Sequence, residues 1–148
     1  MSDIVIRPMR PDERADWEPL WRGYLDFYRT SVPKETYDTT WSRLQDPAEP
    51  MALLGAYAGG RVRGIVHYIY HRSCWTIGNY CYLQDLFVAE DSRKLGLGRA
   101  LIEAVYSEAR AAGASRVHWL THETNDTARA LYDQLADRPG FIQYRRVF

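Results

Sequence analysis

The stretch Arg93-Lys94-Leu95-Gly96-Leu97-Gly98-Arg99 gathers two glycines and three cations within seven residues. Glycines at such a turn let backbone N–H groups face outward at a helix N-terminus, where the helix dipole also favours negative charge. Arg93 and Lys94 add formal charge, so the chemistry this spacing suits is capture of a phosphate or pyrophosphate. No Gly-Lys-Ser/Thr closes the loop, which excludes a P-loop. The dinucleotide fingerprint fails as well. Leu101 stands where its third glycine belongs, and no Asp or Glu stands about 20 residues on at the end of a second strand. Further along, Asn125 and Tyr132 lie seven residues apart, two helical turns, and so share a face. Asn125 is a good helix cap. Tyr132 is either a core aromatic beside Ala128, Leu131 and Leu135 or a proton donor, since a phenol pKa of about 10 lies near a thiol's.

These residues need elements to hold them. Asp3 to Arg7 alternates as a first strand, Asp12 is a candidate cap, and an aromatic helix carries Trp17, Leu20, Trp21, Tyr24, Leu25, Phe27 and Tyr28. A second helix is expected from about Lys34 to Leu44. Met51 to Ala58 and Arg61 to Tyr70 read as strands joined at Gly59-Gly60, a hairpin signal. Tyr82 to Val88 is the strand before the glycine loop. The helix after it repeats Leu97, Leu101, Ala104, Val105 and Ala112 at helical spacing. A strand near Val117–Thr121, a helix near Asp126–Leu135 and a last strand from Phe141 to Val147 complete the order β-α-α-β-β-β-α-β-α-β. This is a mixed α/β domain.

At 148 residues the chain is one domain, 1–148, large enough to bury a core without staples. Nineteen basic residues balance nineteen acidic ones, so there is no electrostatic footprint for nucleic acid. Cys74 and Cys81 give neither a disulfide framework nor zinc spacing, and free thiols in a reducing cytoplasm are expected. No run approaches the roughly 20 apolar residues of a membrane span, and Met1-Ser2-Asp3 does not open a signal peptide, so a cytoplasmic protein is expected. The pairs His67/His71 and His118/His122 have a chelating spacing only on helices. In strands four residues span about 13 Å, and no metal site is expected.

The pattern Arg93-x-x-Gly96-x-Gly98, the run from Cys81 to Tyr132 and the opening from Trp17 to Pro33 together resemble the GNAT superfamily of N-acetyltransferases. The similarity is greatest to its small branch acting on polyamines, free amino acids or histone tails. The resemblance implies a mixed, mostly antiparallel sheet flanked by helices, and acetyl-CoA as the acetyl donor to a primary amine. The amine would attack the thioester directly in a ternary complex. It further implies that backbone groups of Leu86, Phe87 and Val88 bind the pantetheine arm and that the loop Arg93 to Arg99 wraps the pyrophosphate. Asn125 then contacts the pantetheine region, Tyr132 protonates the departing thiolate, and the chain forms a homodimer with Phe141–Val147 near the contact.

The general base is where this chain departs from polyamine-type relatives, which carry Glu-Asp at Gln84-Asp85. Glutamine cannot accept the proton, although its carbonyl can orient an ammonium or a water. Neighbours on a regular strand face opposite sides, so Asp85 cannot simply stand in for Gln84. A water held by Gln84, Asp85, Glu123 or a tyrosine all stay open. The first helix with Asp26, and the second with Glu35 and Asp38, are expected to shape an acceptor pocket, since aromatic faces and carboxylates attract cations. A non-catalytic acyl-CoA-binding module, its base lost at Gln84, is the alternative.

Overall fold

The structure is a computed structural model describing residues 3–148. Met1 and Ser2, two of the three residues read for a signal peptide, lie outside the described residues. Strand β1 (Ile4–Pro8) is followed by helices α1 (Arg14–Phe27) and α2 (Lys34–Gln45), then β2 (Met51–Ala58), β3 (Arg61–His71) and β4 (Tyr80–Val88). Helix α3 (Leu97–Ala111), strand β5 (Val117–His118) and helix α4 (Asp126–Leu135) follow. The five strands form one sheet in sequence order, antiparallel except for the parallel β4–β5 pair. Gly59 and Gly60, with φ of 62° and 76°, make the two-residue turn between β2 and β3. Both central positions need positive φ there, which glycine adopts without strain.

Each sheet face has its own core. Trp17, Trp21 and Leu25 of α1 and Tyr37, Trp41 and Leu44 of α2 pack against Leu53, Tyr57 and Ile65. On the other face, Leu97, Leu101, Ile102, Val105 and Ala109 of α3 cover Leu54, Val66 and Leu83, with Leu131, Tyr132 and Leu135 of α4 at the margin. The alternation of strand residues thus sends successive side chains to two different helix pairs. Glu13 pins one corner. Arg7 grips its carboxylate with both Nη atoms (2.9 and 3.1 Å), the Tyr57 hydroxyl donates to it at 3.0 Å, and the Arg10 N–H at 2.7 Å. The Arg7 guanidinium is the main reason the Glu13 carboxyl is pulled down to about 2.

Three local expectations change. Asp12 does not cap α1; Pro11–Glu13 forms a short 3₁₀ turn, and the helix starts behind Glu13. The strand expected through Thr121 stops at His118, because the chain leaves β4 after two paired residues. The last expected strand, Phe141 to Val147, is not formed, and residues 136–148 carry no regular secondary structure. A strand exists only through pairing. Among the described residues no strand pairs with this segment, which leaves Phe141, Ile142, Tyr144 and Phe148 exposed.

Candidate active site

The site begins where β4 and β5 part. They are paired only at Cys81–Val117 and Tyr82–His118, so β4 runs on from Leu83 to Val88 with no strand on that side. The Ala89 N–H donates to the Arg63 carbonyl at 2.7 Å. By strand alternation, Phe87 also turns its N–H toward β3, while the N–H groups of Leu86 and Val88 face the gap. Of the three expected backbone positions, two therefore open to the cleft. Phe87 instead uses its side chain, whose ring lies over Gly23 of α1 so closely that a Cβ there would fall 2.7 Å from it.

At one end of the gap stands the glycine loop. Gly96 caps α3 with φ of 79° and no side chain capping it, and the first helical bond there is Ala100 N–H to the Gly96 carbonyl at 3.1 Å. The N–H groups of Leu97, Gly98 and Arg99 are thus left without intrahelical partners, as an anion needs. Lys94 also has positive φ, 73°. The exposed Arg93 donates to the Val88 carbonyl at 3.3 Å, joining the loop to the open strand. Leu95 is exposed, whereas the Leu97 side chain is buried in the core. Arg99 is turned to Glu103 and to Gln134 of α4, so it binds the two helices together.

The walls come from α1 and from the segment that follows β5. Tyr24 of α1 and Tyr28, which caps its C-terminus, have centroids 5.0 Å apart, and Tyr28 meets His122 at 5.3 Å. The Tyr24 hydroxyl donates to the Gln84 carbonyl at 3.3 Å. Asn125 does not cap α4 with its side chain; its amide donates to Thr121 Oγ1 at 3.3 Å. Tyr132 packs edge-on against Trp119 at 5.4 Å. Burial, then the nearby Tyr28, pushes its phenol up to about 12, so it keeps its proton at neutral pH.

Gln84 and Asp85 separate completely. Tyr68 pairs with Leu83 and His67 with Asp85, which makes Gln84 the extra residue of a β-bulge with its side chain exposed. Asp85 turns toward α1. Its Oδ2 accepts from His67 Nδ1 at 2.8 Å and from the Trp21 indole at 3.2 Å, and 11% of its side chain remains open to solvent. Burial first, and then Asp85, raises the phenol pKa of Tyr24 and Tyr82; burial chiefly raises that of Tyr28. Glu123 is exposed.

Sequence reasoning weighed His67 only as half of a chelating pair and missed its contact with Asp85. It sits on an apolar strand face, where its only signal is a polar residue at an inward position. Trp17 and Trp21 are core, yet their indole N–H groups serve His67 and Asp85. Asp38 is taken by Arg14 and Lys34, and Glu35 is exposed. Asp26 lines a separate cleft of about 450 Å³ with Arg22, Ser31, Lys34 and Tyr37. The buried Cys81 thiol is pushed up to about 11, the wrong direction for a nucleophile. Among the described residues no group of three or more His, Cys, Asp or Glu could hold a metal ion. No helix among them is long and apolar enough to cross a membrane.

The family model of the Acetyltransferase (GNAT) family matches residues 17–136. The chain is 36% identical to the D-amino-acid N-acetyltransferase of Saccharomyces cerevisiae over 147 residues, covering 97% of this chain and 90% of that one. It is 31% identical to the thialysine N-epsilon-acetyltransferase of Caenorhabditis elegans over 152 residues, covering 98% and 92%. The aminoglycoside N-acetyltransferase AAC(6')-Iy, solved with a bisubstrate analogue of coenzyme A, has the same fold, with a TM-score of 0.85, 18% identity and 99% of each chain covered. A strand split from its neighbour, a glycine-capped helix at its end and a match spanning most of the sequence converge on one assignment: the chain belongs to the GNAT family and is an acetyl-transferring enzyme.

Proposed function

We propose that this enzyme moves an acetyl group from acetyl-CoA to the primary amine of a small amino-acid-like acceptor, by direct attack in a ternary complex. The observation that carries the reading is the split between β4 and β5, with the N–H groups of Leu86 and Val88 unpaired at its floor. Those donors match the amides of a pantetheine arm, and the free N–H groups at the start of α3, with Arg93 and Lys94 beside them, match a pyrophosphate. Acetyl-CoA supplies an activated thioester. The Val88 N–H is the donor assigned to its carbonyl oxygen. Asn125 and Thr121 border the same gap.

The acceptor arrives as an ammonium, and the phenols of Tyr24, Tyr28 and Tyr82 with the Asp85 carboxylate suit a cation. Asp85 takes the ammonium proton, either directly or through a water that Gln84 orients. The freed amine nitrogen bonds to the acetyl carbon, the carbon–sulfur bond breaks as Tyr132 gives its proton to the leaving thiolate, and the nitrogen's surplus proton passes to water, from which the Tyr132 phenolate is reprotonated. The named relatives support an amino-acid-like acceptor, since one acts on D-amino acids and another on thialysine. The chain is also proposed to pair with a second copy through its C-terminal segment, whose exposed apolar side chains find no cover within one chain.

The test is release of free thiol from acetyl-CoA across a panel of D- and L-amino acids, diamines, polyamines, aminoglycosides and a lysine-rich peptide. Turnover highest with a small amino acid is expected. Coenzyme A binding with no thiol release from any of these amines would overturn the proposed acceptor class.

A further inference from the structure

Four buried side chains from one helix and two strands form one chain of hydrogen bonds. The Trp17 indole donates to His67 Nε2 at 3.0 Å, His67 Nδ1 lies 2.8 Å from Asp85 Oδ2, and the Trp21 indole donates to the same Oδ2 at 3.2 Å. Trp17 is fully buried and His67 is 3% exposed. An indole nitrogen can only donate, so Nε2 of His67 must be the accepting nitrogen. The imidazole proton then sits on Nδ1 and is aimed at Asp85. Both N–H donors land on Oδ2, and Oδ1 receives neither of them.

We propose that His67, locked as its Nδ1–H tautomer by Trp17, is a positioning residue that holds the Asp85 carboxyl group oriented to take the proton of the acceptor amine. This rests on Asp85 being the proton acceptor. The arrangement follows the logic by which a buried partner fixes the tautomer of a catalytic side chain, here with the carboxylate at the working end. The β4 bulge is what makes it possible. Had Gln84 taken a regular place in the ladder, Asp85 would share the face of Leu83 toward α3, and neither His67 nor Trp21 could reach it. The titratable groups facing Asp85 are His67 from β3, Tyr24 of α1, Tyr28 at its C-terminal cap and Tyr82 from its own strand. The three phenols are raised, so none of them ionises along the acidic limb of the pH profile.

The experiment compares pH profiles of kcat/KM for thiol release in wild type, His67→Leu, His67→Asn and Asp85→Asn, with thermal midpoints for each. Leucine removes the donor to Asp85, and the acidic limb should move up by about one pH unit, the scale of one hydrogen bond to a charged group. Asparagine restores an N–H donor near the Nδ1 position but leaves the Trp17 indole without its acceptor. It should bring the limb back while its thermal midpoint falls with that of the leucine variant. A limb that ignores His67→Leu in an enzyme that needs Asp85 overturns this inference alone. An Asp85→Asn enzyme that keeps the wild-type limb overturns the Asp85 assignment, and the inference with it. Nitrogen-resolved NMR of the wild type at neutral pH needs no variant: the proton is expected on Nδ1 of His67, and finding it on Nε2 overturns the proposal.

Discussion

Leu83 and Asp85 stand two apart on β4 yet face opposite sides of the sheet. Leu83 pairs with Tyr68 and is buried against α3, whereas Asp85 pairs with His67 and reaches Trp21 of α1. In a regular strand they would share a face. The single extra residue, Gln84, reverses the alternation, and Leu86 and Val88 return to the α3 side while Phe87 joins Asp85 on the other. One bulge thus delivers the carboxylate to the cleft.

Asp85→Asn tests the outcome. The amide oxygen can still accept from His67 and Trp21, so the fold should hold, but the proton acceptor is gone. Turnover should fall by about 10²–10⁴-fold, the range for one positioned acid or base. Steady-state thiol release with a confirmed amine, alongside thermal denaturation, checks it.

Tyr132→Phe keeps the ring against Trp119 and removes the donor. Turnover should drop toward the lower end of about 10²–10⁴-fold, since water can partly replace a phenol, while acetyl-CoA affinity changes little. Near wild-type turnover would take Tyr132 out of the mechanism and leave it as packing.

Gly98→Val and Gly96→Ala separate two uses of glycine in the same loop. At Gly96 a Cβ meets nothing within 4 Å, but φ is 79°, so alanine costs only backbone strain, about 1–2 kcal/mol. At Gly98 a Cβ makes an ordinary 3.6 Å contact with Leu131, and valine instead crowds the N–H groups meant for the pyrophosphate. Calorimetric titration should show Gly98→Val weakening coenzyme A binding well beyond its loss of stability. Unchanged affinity in a folded variant would refute the loop assignment.

Glu13→Gln should destabilise the fold by about 1.5–3 kcal/mol at neutral pH, the loss of charge-assisted hydrogen bonds. Because Arg7 lowers the Glu13 carboxyl from 4.5 to about 2, its contribution is present above pH 4.5 and is lost as pH falls toward 2. Denaturation curves for wild type and variant should therefore converge across that window. A gap that stays constant would remove the charge from the explanation.

Light scattering at micromolar concentration should give a dimer mass for the full chain and a monomer mass for Phe141→Asp/Tyr144→Asp. A monomer mass for the unaltered chain, with and without acetyl-CoA, would end the pairing proposal.

The sequence by itself determined what is local. The periodicity of Leu97, Leu101 and Val105, the Gly59-Gly60 turn and the Gly96 cap are set within a few residues, and α3, the hairpin and α4 fall where that spacing puts them. Only the tertiary structure decided the rest. The bulge at Gln84 is a mismatch in length between two strands, visible only once β3 and β4 are paired. His67, Asp85 and the two tryptophans are brought together across as many as 68 positions of chain, from Trp17 to Asp85, by packing α1 on the sheet. The C-terminal segment carries a strand-like pattern of aromatics, yet a strand needs a partner, and pairing is a property of the assembled sheet rather than of the segment.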